Sequence, residues 1–179
     1  MTRAQFEHAV RAAGAVLGVR EVLVIGSQAL HASMGRGLPP EAERSIEVDL
    51  VPMDDRDGHL ADLIDGAIGE ASMFHDTFGY YAHGVGEGTA VLGDGWRERL
   101  IRYETPGTSG VVAWCLEPHD LWLSKAVAGR DKDLEFCAAL LASGVVSPDL
   151  LLQRLKGLSG MAPAVQALVA ARIARRATS

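Results

Sequence analysis

The sequence predicts a mixed α/β (α+β) fold, in which a sheet with flanking helices is followed by a helical C-terminal segment. Its composition, 48% hydrophobic and 22% charged over 179 residues, is that of a globular chain the size of one domain. Short β-branched runs alternate with helical patterns up to Leu116, and every periodic segment after Pro118 is helical. We therefore expect an α/β core at residues 1–117 and a helical extension packed on it at residues 118–179.

The N-terminal half predicts helices and strands in alternation. Thr2 can cap a helix whose apolar residues recur at helical spacing up to Gly18. Residues 21–25, which begin with Glu21, form a short β-branched run, as in a strand covered on both faces, whereas residues 46–51 alternate apolar and acidic side chains. We predict strands at these two places, helices at 28–34 and 54–69, and a loop at 35–45.

Residues 78–116 are typical of short strands separated by glycine-rich turns, and the rest of the chain is typical of helices. The glycine run at 84–88 does not open a helix, so we interpret it as a turn instead of a phosphate-binding loop. The predicted strands are 78–82, 89–92, 100–104 and 111–116, and the predicted helices are, to about one turn, 120–129, 131–142, 148–157 and 162–175.

Charge and composition argue against several classes of protein. The net charge of −6 disfavours a broad nucleic-acid-binding face, so we expect no DNA-binding surface. Cys115 and Cys137 stand in unlike contexts and are expected to be buried thiols without disulfide or metal spacing. The N-terminus lacks the apolar core of a signal peptide, and no stretch approaches the ~18 apolar residues of a membrane span. We therefore expect a cytoplasmic protein without membrane association.

The residues that carry chemistry lie between Gly26 and Asp49. Gly26 and Ser27 end the first predicted strand, where glycine permits close approach of a ligand and the next helix start offers free amides to a phosphate. Glu47 and Asp49 stand two residues apart on a predicted strand, so their carboxylates point the same way and can share a divalent cation. A phosphate-binding turn beside such a metal site is what nucleotidyl transfer requires.

These residues resemble the signature of the nucleotidyltransferase superfamily, which is Gly-Ser at a helix start followed by Asp-x-Asp on the next strand. A downstream segment resembles the Lys-x-x-Ala-x-x-Arg-x-x-Asp pattern of AbiEii-type and related nucleotidyltransferase-like proteins, many of them associated with toxin–antitoxin systems. Its matching residues are Lys125, Ala128, Arg130 and Asp133, with Arg130 one position closer to Ala128 than in that pattern.

The resemblance implies a nucleotidyltransferase-like fold and a Mg²⁺-dependent (or Mn²⁺-dependent) transfer of a nucleoside monophosphate from a nucleoside triphosphate to an acceptor hydroxyl. It assigns the metal to Glu47 and Asp49, and the triphosphate to the Gly26–Ser27 turn. Lys125 and Arg130 would assist in binding the nucleotide, Lys125 by neutralising phosphate charge. The acceptor stays open between a protein, an RNA end and a small molecule.

The superfamily commonly has a third carboxylate that helps to activate the attacking hydroxyl. We expect it at Glu104 or, failing that, at Glu98, facing Asp49 from the neighbouring strand. Because this group is not marked by a motif, and because Glu47 stands where aspartate is commoner, a second interpretation stays open. In it the chain is a non-catalytic binding protein that keeps the fold and acts through a partner.

The downstream motif also has simpler interpretations. Lys125 lies on a mostly apolar helix, where it is either a solvated side chain or a partly buried one directed at a site. Asp133 is placed to charge the start of the next helix, which requires no function. Arg130 is placed to link the two helices.

Overall fold

The computed structural model describes residues 1–35 and 37–174. The chain folds into two compact units. The first consists of Met1–Thr89 and Leu100–Leu116, and the second of Ala90–Arg99 and the chain from Glu117 onward. Residues Ala90–Arg99 therefore group with the helical unit, although the sequence analysis placed them in the α/β core.

A five-stranded mixed sheet organises the first unit, in the order β3-β2-β1-β5-β4. Strands β1 and β5 pair in parallel, as do β2 and β3, whereas β1–β2 and β4–β5 are antiparallel. This mixed sheet with flanking helices confirms the predicted fold class. The strands are β1 Glu21–Val24, β2 Glu47–Pro52, β3 Tyr81–Gly84, β4 Ile101–Tyr103 and β5 Val112–Cys115.

Eight α-helices are present in the described residues, four in each unit. The first unit contains α1 Arg3–Leu17, α2 Pro40–Glu43, α3 His59–Ile68 and α4 Met73–Phe78. The second contains α5 Pro118–Ala128, α6 Asp131–Ala142, α7 Pro148–Leu155 and α8 Pro163–Ala174. As predicted, Thr2 caps α1, here through a reciprocal capping box with Gln5, and Gly18 ends it in the left-handed conformation.

Four local predictions were wrong. The loop predicted at 35–45 contains helix α2, Pro40–Glu43. The predicted helix at 28–34 is a 3-10 helix, Ser27–Ala32. Phe78 belongs to the last turn of α4, because Gly79 ends that helix with a φ of 74° and the strand begins only at Tyr81. Residues 89–92 form no strand; instead the Val91 amide donates to the Ser124 hydroxyl at 3.2 Å. The last predicted helix reached residue 175, which lies outside the described residues.

The packing of the first unit leaves one side of β2 accessible. Helices α1 and α3 contact each other and the strands, and both bury apolar side chains against them. Val48 and Leu50 of β2 are fully buried, whereas Glu47 and Asp49, which alternate with them, are only half-buried. The strand therefore presents its two carboxylates together on its accessible side.

Among residues 1–35 and 37–174, no helix has the length and apolar character needed to cross a membrane.

Candidate functional site

The turn after β1 lies directly against the carboxylate of Asp49. The Ile25 amide donates to the Asp49 carbonyl at 3.3 Å, which brings the end of β1 beside the middle of β2. A Cβ atom at Gly26 would stand 1.9 Å from Asp49 Oδ2 and 2.8 Å from Asp49 Cγ. Gly26 has a φ of −91°, so the position requires glycine for space and not for backbone conformation.

The buried side chain of Gln28 anchors the 3-10 helix that starts at Ser27. Gln28 is fully buried, and its Nε2 donates to the Ala42 carbonyl at 2.9 Å and lies 3.5 Å from Ser27 Oγ. Ala42 belongs to α2, within the segment predicted as a loop. One side chain thus links the turn that carries Ser27 to the long segment that precedes the carboxylate strand.

Strand β3 places two further polar side chains beside the carboxylates. Glu47 pairs in register with Tyr81, and Asp49 with His83. The Tyr81 hydroxyl donates to Glu47 Oε2 at 3.0 Å, and His83 Nδ1 lies 3.3 Å from Asp49 Oδ1 and 3.7 Å from Glu47 Oε1. Burial, together with the Glu47 carboxylate, raises the pKa of Tyr81 to about 12, so its hydroxyl remains a donor at neutral pH.

Glu47, Asp49 and His83 can converge on one metal ion. Each offers a ligand atom, and these atoms all lie within 4.8 Å of one another. Neighbouring donors around an octahedral ion with bonds of about 2.1 Å are roughly 3 Å apart, and opposite donors roughly 4 Å. The distances from His83 Nδ1 to Asp49 Oδ1, 3.3 Å, and to Glu47 Oε1, 3.7 Å, lie within this range. An open groove of about 310 Å³ adjoins these residues and is lined by Glu47, Asp65, Glu70, Tyr81 and His83.

Comparison with known protein families identifies the family of this chain. Residues 7–167 match the family described as a nucleotidyltransferase of unknown function (DUF6036). The chain belongs to this nucleotidyltransferase family. The match confirms the resemblance to the superfamily, whereas a relation to the AbiEii-type proteins in particular stays a prediction. No curated protein and no solved structure gives a significant match.

The downstream nucleotidyltransferase motif forms an ion-pair cluster within the second unit. The Asp133 carboxylate is 1% exposed and accepts hydrogen bonds from Arg130 Nε at 2.6 Å and from Lys125 Nζ at 3.1 Å. Lys125 also lies over the Phe136 ring, 5.3 Å from its centre, and its side chain is 17% exposed. The interpretation of Lys125 as a solvated side chain is therefore wrong, and Asp133 links α5 to α6.

The ion pairs of Asp133 with Arg130 and Lys125 stabilise the fold to an extent that depends on pH. Burial alone would raise the pKa of Asp133, but the hydrogen bonds and charges of Arg130 and Lys125 outweigh it and lower that pKa. A carboxylate with a lowered folded-state pKa stabilises the fold fully above its unfolded pKa of about 3.9. This stabilisation is lost as the pH falls through the folded-state value.

We expect Asp133→Asn to lower the free energy of unfolding by about 2 kcal/mol near neutral pH. This is below the ~3–5 kcal/mol typical of breaking fully buried pairs, because the Arg130 side chain is 62% exposed. Urea unfolding at about pH 7 and about pH 3 measures the difference, which should shrink at the lower pH. Asp131→Asn, at the exposed neighbouring position, is the control. Equal stability of the wild type and Asp133→Asn at neutral pH would contradict the assignment.

The placement expected for a third carboxylate was wrong. Glu104 follows β4, and β4 is separated from β2 by β5 and β1, so Glu104 cannot face Asp49 from the neighbouring strand. Its carboxylate instead pairs with Arg102. Glu98 lies in a 3-10 helix, Arg97–Arg99, of the second unit. The neighbouring strand is β3, where the residue opposite Asp49 is His83.

Sequence reasoning missed Tyr81 and His83. Their period-2 spacing matches that of Glu47 and Asp49, and this was the available signal. It becomes informative only once β3 is known to pair with β2 in parallel, with these residues in register.

Proposed function

We propose that this chain is a metal-dependent nucleotidyltransferase that moves a nucleoside monophosphate from a nucleoside triphosphate to an acceptor hydroxyl. The observation that carries the proposal is the contact of the Gly26 turn with Asp49, beside Glu47 on the same side of β2. The backbone of the turn at Gly26 therefore lies directly against one of two neighbouring carboxylates. A metal-bound triphosphate needs such carboxylates beside a turn that its phosphates can approach.

The proposal gives a task to each residue of the site. Glu47 and Asp49 would hold a divalent cation, Mg²⁺ or Mn²⁺, which would supply charge neutralisation of the phosphates when bound. The absence of a side chain at Gly26 lets the Asp49 carboxylate lie against the turn, and the Ser27 hydroxyl would donate to a phosphate oxygen bound there. The family resemblance also assigns nucleotide binding to Lys125 and Arg130, both of which pair with Asp133 within the second unit.

The reaction follows from these tasks. The acceptor oxygen forms a bond to the α-phosphorus, the bond from that phosphorus to the β-phosphate oxygen breaks, and pyrophosphate leaves with its electron pair. The hydroxyl proton passes to water or to a carboxylate of the site. The acceptor is a protein, an RNA end or a small molecule, and the resemblance to toxin–antitoxin proteins favours a macromolecule.

Transfer of label tests this function directly. The chain is incubated with each nucleoside triphosphate labelled at the α-phosphate, with Mg²⁺ or Mn²⁺, and with protein, RNA and small-molecule fractions of a cell extract. We expect label to enter one fraction with release of pyrophosphate, and no transfer when the label is at the γ-phosphate. Glu47→Gln, which keeps the shape of the side chain and removes its charge, should abolish the transfer. Label that moves from the γ-phosphate would contradict the proposal.

One observation favours a second candidate function, a non-catalytic nucleotide-binding protein that acts through a partner. Strand β3 carries His83 where the superfamily pattern led us to expect a carboxylate. In that case the wild type binds a metal–triphosphate complex, whereas no fraction accepts label at any metal concentration.

A further inference from the structure

The strand next to the carboxylates supplies a nitrogen donor. Strand β3 reads Tyr81-Ala-His-Gly84 and contains no acidic residue, so the third polar group next to Glu47 and Asp49 is an imidazole. His83 Nδ1 is nearer to Asp49 Oδ1, at 3.3 Å, than to Glu47 Oε1, at 3.7 Å. Both distances lie between the roughly 3 Å of neighbouring ligands and the roughly 4 Å of opposite ligands around one ion with bonds of about 2.1 Å.

The surroundings hold these donors in place. Glu47 Oε2 accepts the Tyr81 hydroxyl, so the other oxygen of this carboxylate, Oε1, is the one nearer to His83. Asp49 Oδ2 is confined by Gly26, and Asp49 Oδ1 is the oxygen that faces His83. Groups that orient a ligand in this way preorganise a metal site.

The chemistry of this donor set differs from that of a three-carboxylate site. Mg²⁺ prefers oxygen ligands and loses its water reluctantly, so an imidazole contributes little to its binding. First-row transition metals accept imidazole nitrogen together with carboxylate oxygen. A histidine in place of a third carboxylate therefore changes which cation is bound most tightly.

We propose that His83 is the third metal ligand of this site and that it makes the site select a divalent transition metal, with Mn²⁺ as the probe, over Mg²⁺. The inference rests on the proposed function, because it concerns the same cation. It goes further by assigning a ligand and a metal class. The ligand atoms are Glu47 Oε1, Asp49 Oδ1 and His83 Nδ1.

Electron paramagnetic resonance of Mn²⁺ bound to the full chain tests the ligand. Inorganic triphosphate serves as the phosphate probe, which avoids any choice of base. We expect pulsed measurements to detect coupling between Mn²⁺ and a histidine nitrogen in the wild type. The coupling should disappear in His83→Asp while Mn²⁺ remains bound. His59→Asp, at an exposed histidine of α3, is the matched control and should keep the coupling.

Competition between the two cations tests the selectivity. We expect the ratio of Mn²⁺ to Mg²⁺ affinity to fall on the order of tenfold in His83→Asp, the scale of losing one metal-directed interaction. His83→Gln, which keeps a similar size, provides a second variant should His83→Asp fail to fold. It should lose the nitrogen coupling as well.

Three results would overturn the inference. One is bound Mn²⁺ without nitrogen coupling in the wild type, and another is an unchanged affinity ratio in the variants. The third is tighter Mn²⁺ binding in His83→Gln, which would mean that the imidazole acts as a cation that competes with the metal. All three would leave the proposed function intact if Asp49→Asn still abolishes metal binding. Failure of Asp49→Asn to affect Mn²⁺ binding would overturn both.

Discussion

Replacement of Asp49 by asparagine is expected to abolish measurable binding of Mn²⁺ or Mg²⁺ in the presence of a nucleoside triphosphate. Asparagine keeps the shape of the side chain and removes the negative charge that a hard cation needs. Loss of a residue that merely orients a metal ligand costs about 10- to 100-fold in affinity, so loss of a ligand should cost at least as much. Turnover should fall to the level of the reaction without metal.

Isothermal calorimetry and circular dichroism together check this expectation. The fold should persist in Asp49→Asn, because the side chain is only half-buried and the strand is held by backbone pairing with β1 and β3. Asp62→Asn, the same change at an exposed position of α3, is the control and should bind metal as the wild type does. Equal metal affinity in Asp49→Asn and the wild type would remove Asp49 from the site.

Replacement of Gly26 by valine is expected to weaken binding of the metal–triphosphate complex by at least about 100-fold, the upper end of what disturbing a metal site costs. A Cβ at this position would overlap Asp49 Oδ2, at 1.9 Å, so the carboxylate must move away from its position opposite His83. Displacement of this carboxylate would also disrupt the cation site that it forms with Glu47 and His83. Both effects act on the site more than on the stability of the sheet.

Two further variants separate these effects from a general intolerance of substitution. Gly66→Val, in α3, adds a side chain where nothing lies within 4 Å and should leave binding unchanged. Ser27→Ala should be milder than Gly26→Val, because it removes one hydrogen bond worth on the order of 1 kcal/mol. Titration with a fluorescent nucleoside triphosphate analogue measures all three. Normal binding by a folded Gly26→Val protein would place the ligand elsewhere.

Local sequence patterns predicted that Glu47 and Asp49 lie side by side, because this depends only on alternation along a single strand. Alternation of Ile46, Val48 and Leu50 with Glu47 and Asp49 requires only that the segment be extended and covered on one side. In the structure Val48 and Leu50 are fully buried, whereas Ile46 lies just before β2 and is 47% exposed. The same applies to α1, whose start at Thr2 and end depend on neighbours in the chain.

The neighbours of the carboxylates could not be predicted in the same way, because they depend on strand order. The prediction for Glu104 assumed that its strand lies beside β2, but that strand pairs with β5 at the opposite edge of the sheet. Successive strands are adjacent in many folds, but not in all, so spacing along the chain does not determine pairing. His83 reached its place through the β2–β3 pairing, which no local pattern encodes.

The requirement for glycine at position 26 was predicted, but one of its causes was missed. We expected glycine there because a ligand would approach the turn. The structure adds a nearer cause, because the neighbour that excludes a side chain is Asp49 of the same site. The helix after the turn is a six-residue 3-10 helix, so the phosphate-binding proposal depends on Gly26, Ser27 and the metal more than on a helix dipole.

A crystal structure of the full chain with Mn²⁺ and a non-hydrolysable nucleoside triphosphate analogue, with anomalous scattering to locate the metal, tests the central claim most directly. The account predicts an Mn²⁺ peak within about 2.2 Å of carboxylate oxygens of both Glu47 and Asp49, with the phosphates beside Gly26 and Ser27. Ordered triphosphate bound away from this turn, with no metal peak between Glu47 and Asp49, would contradict it.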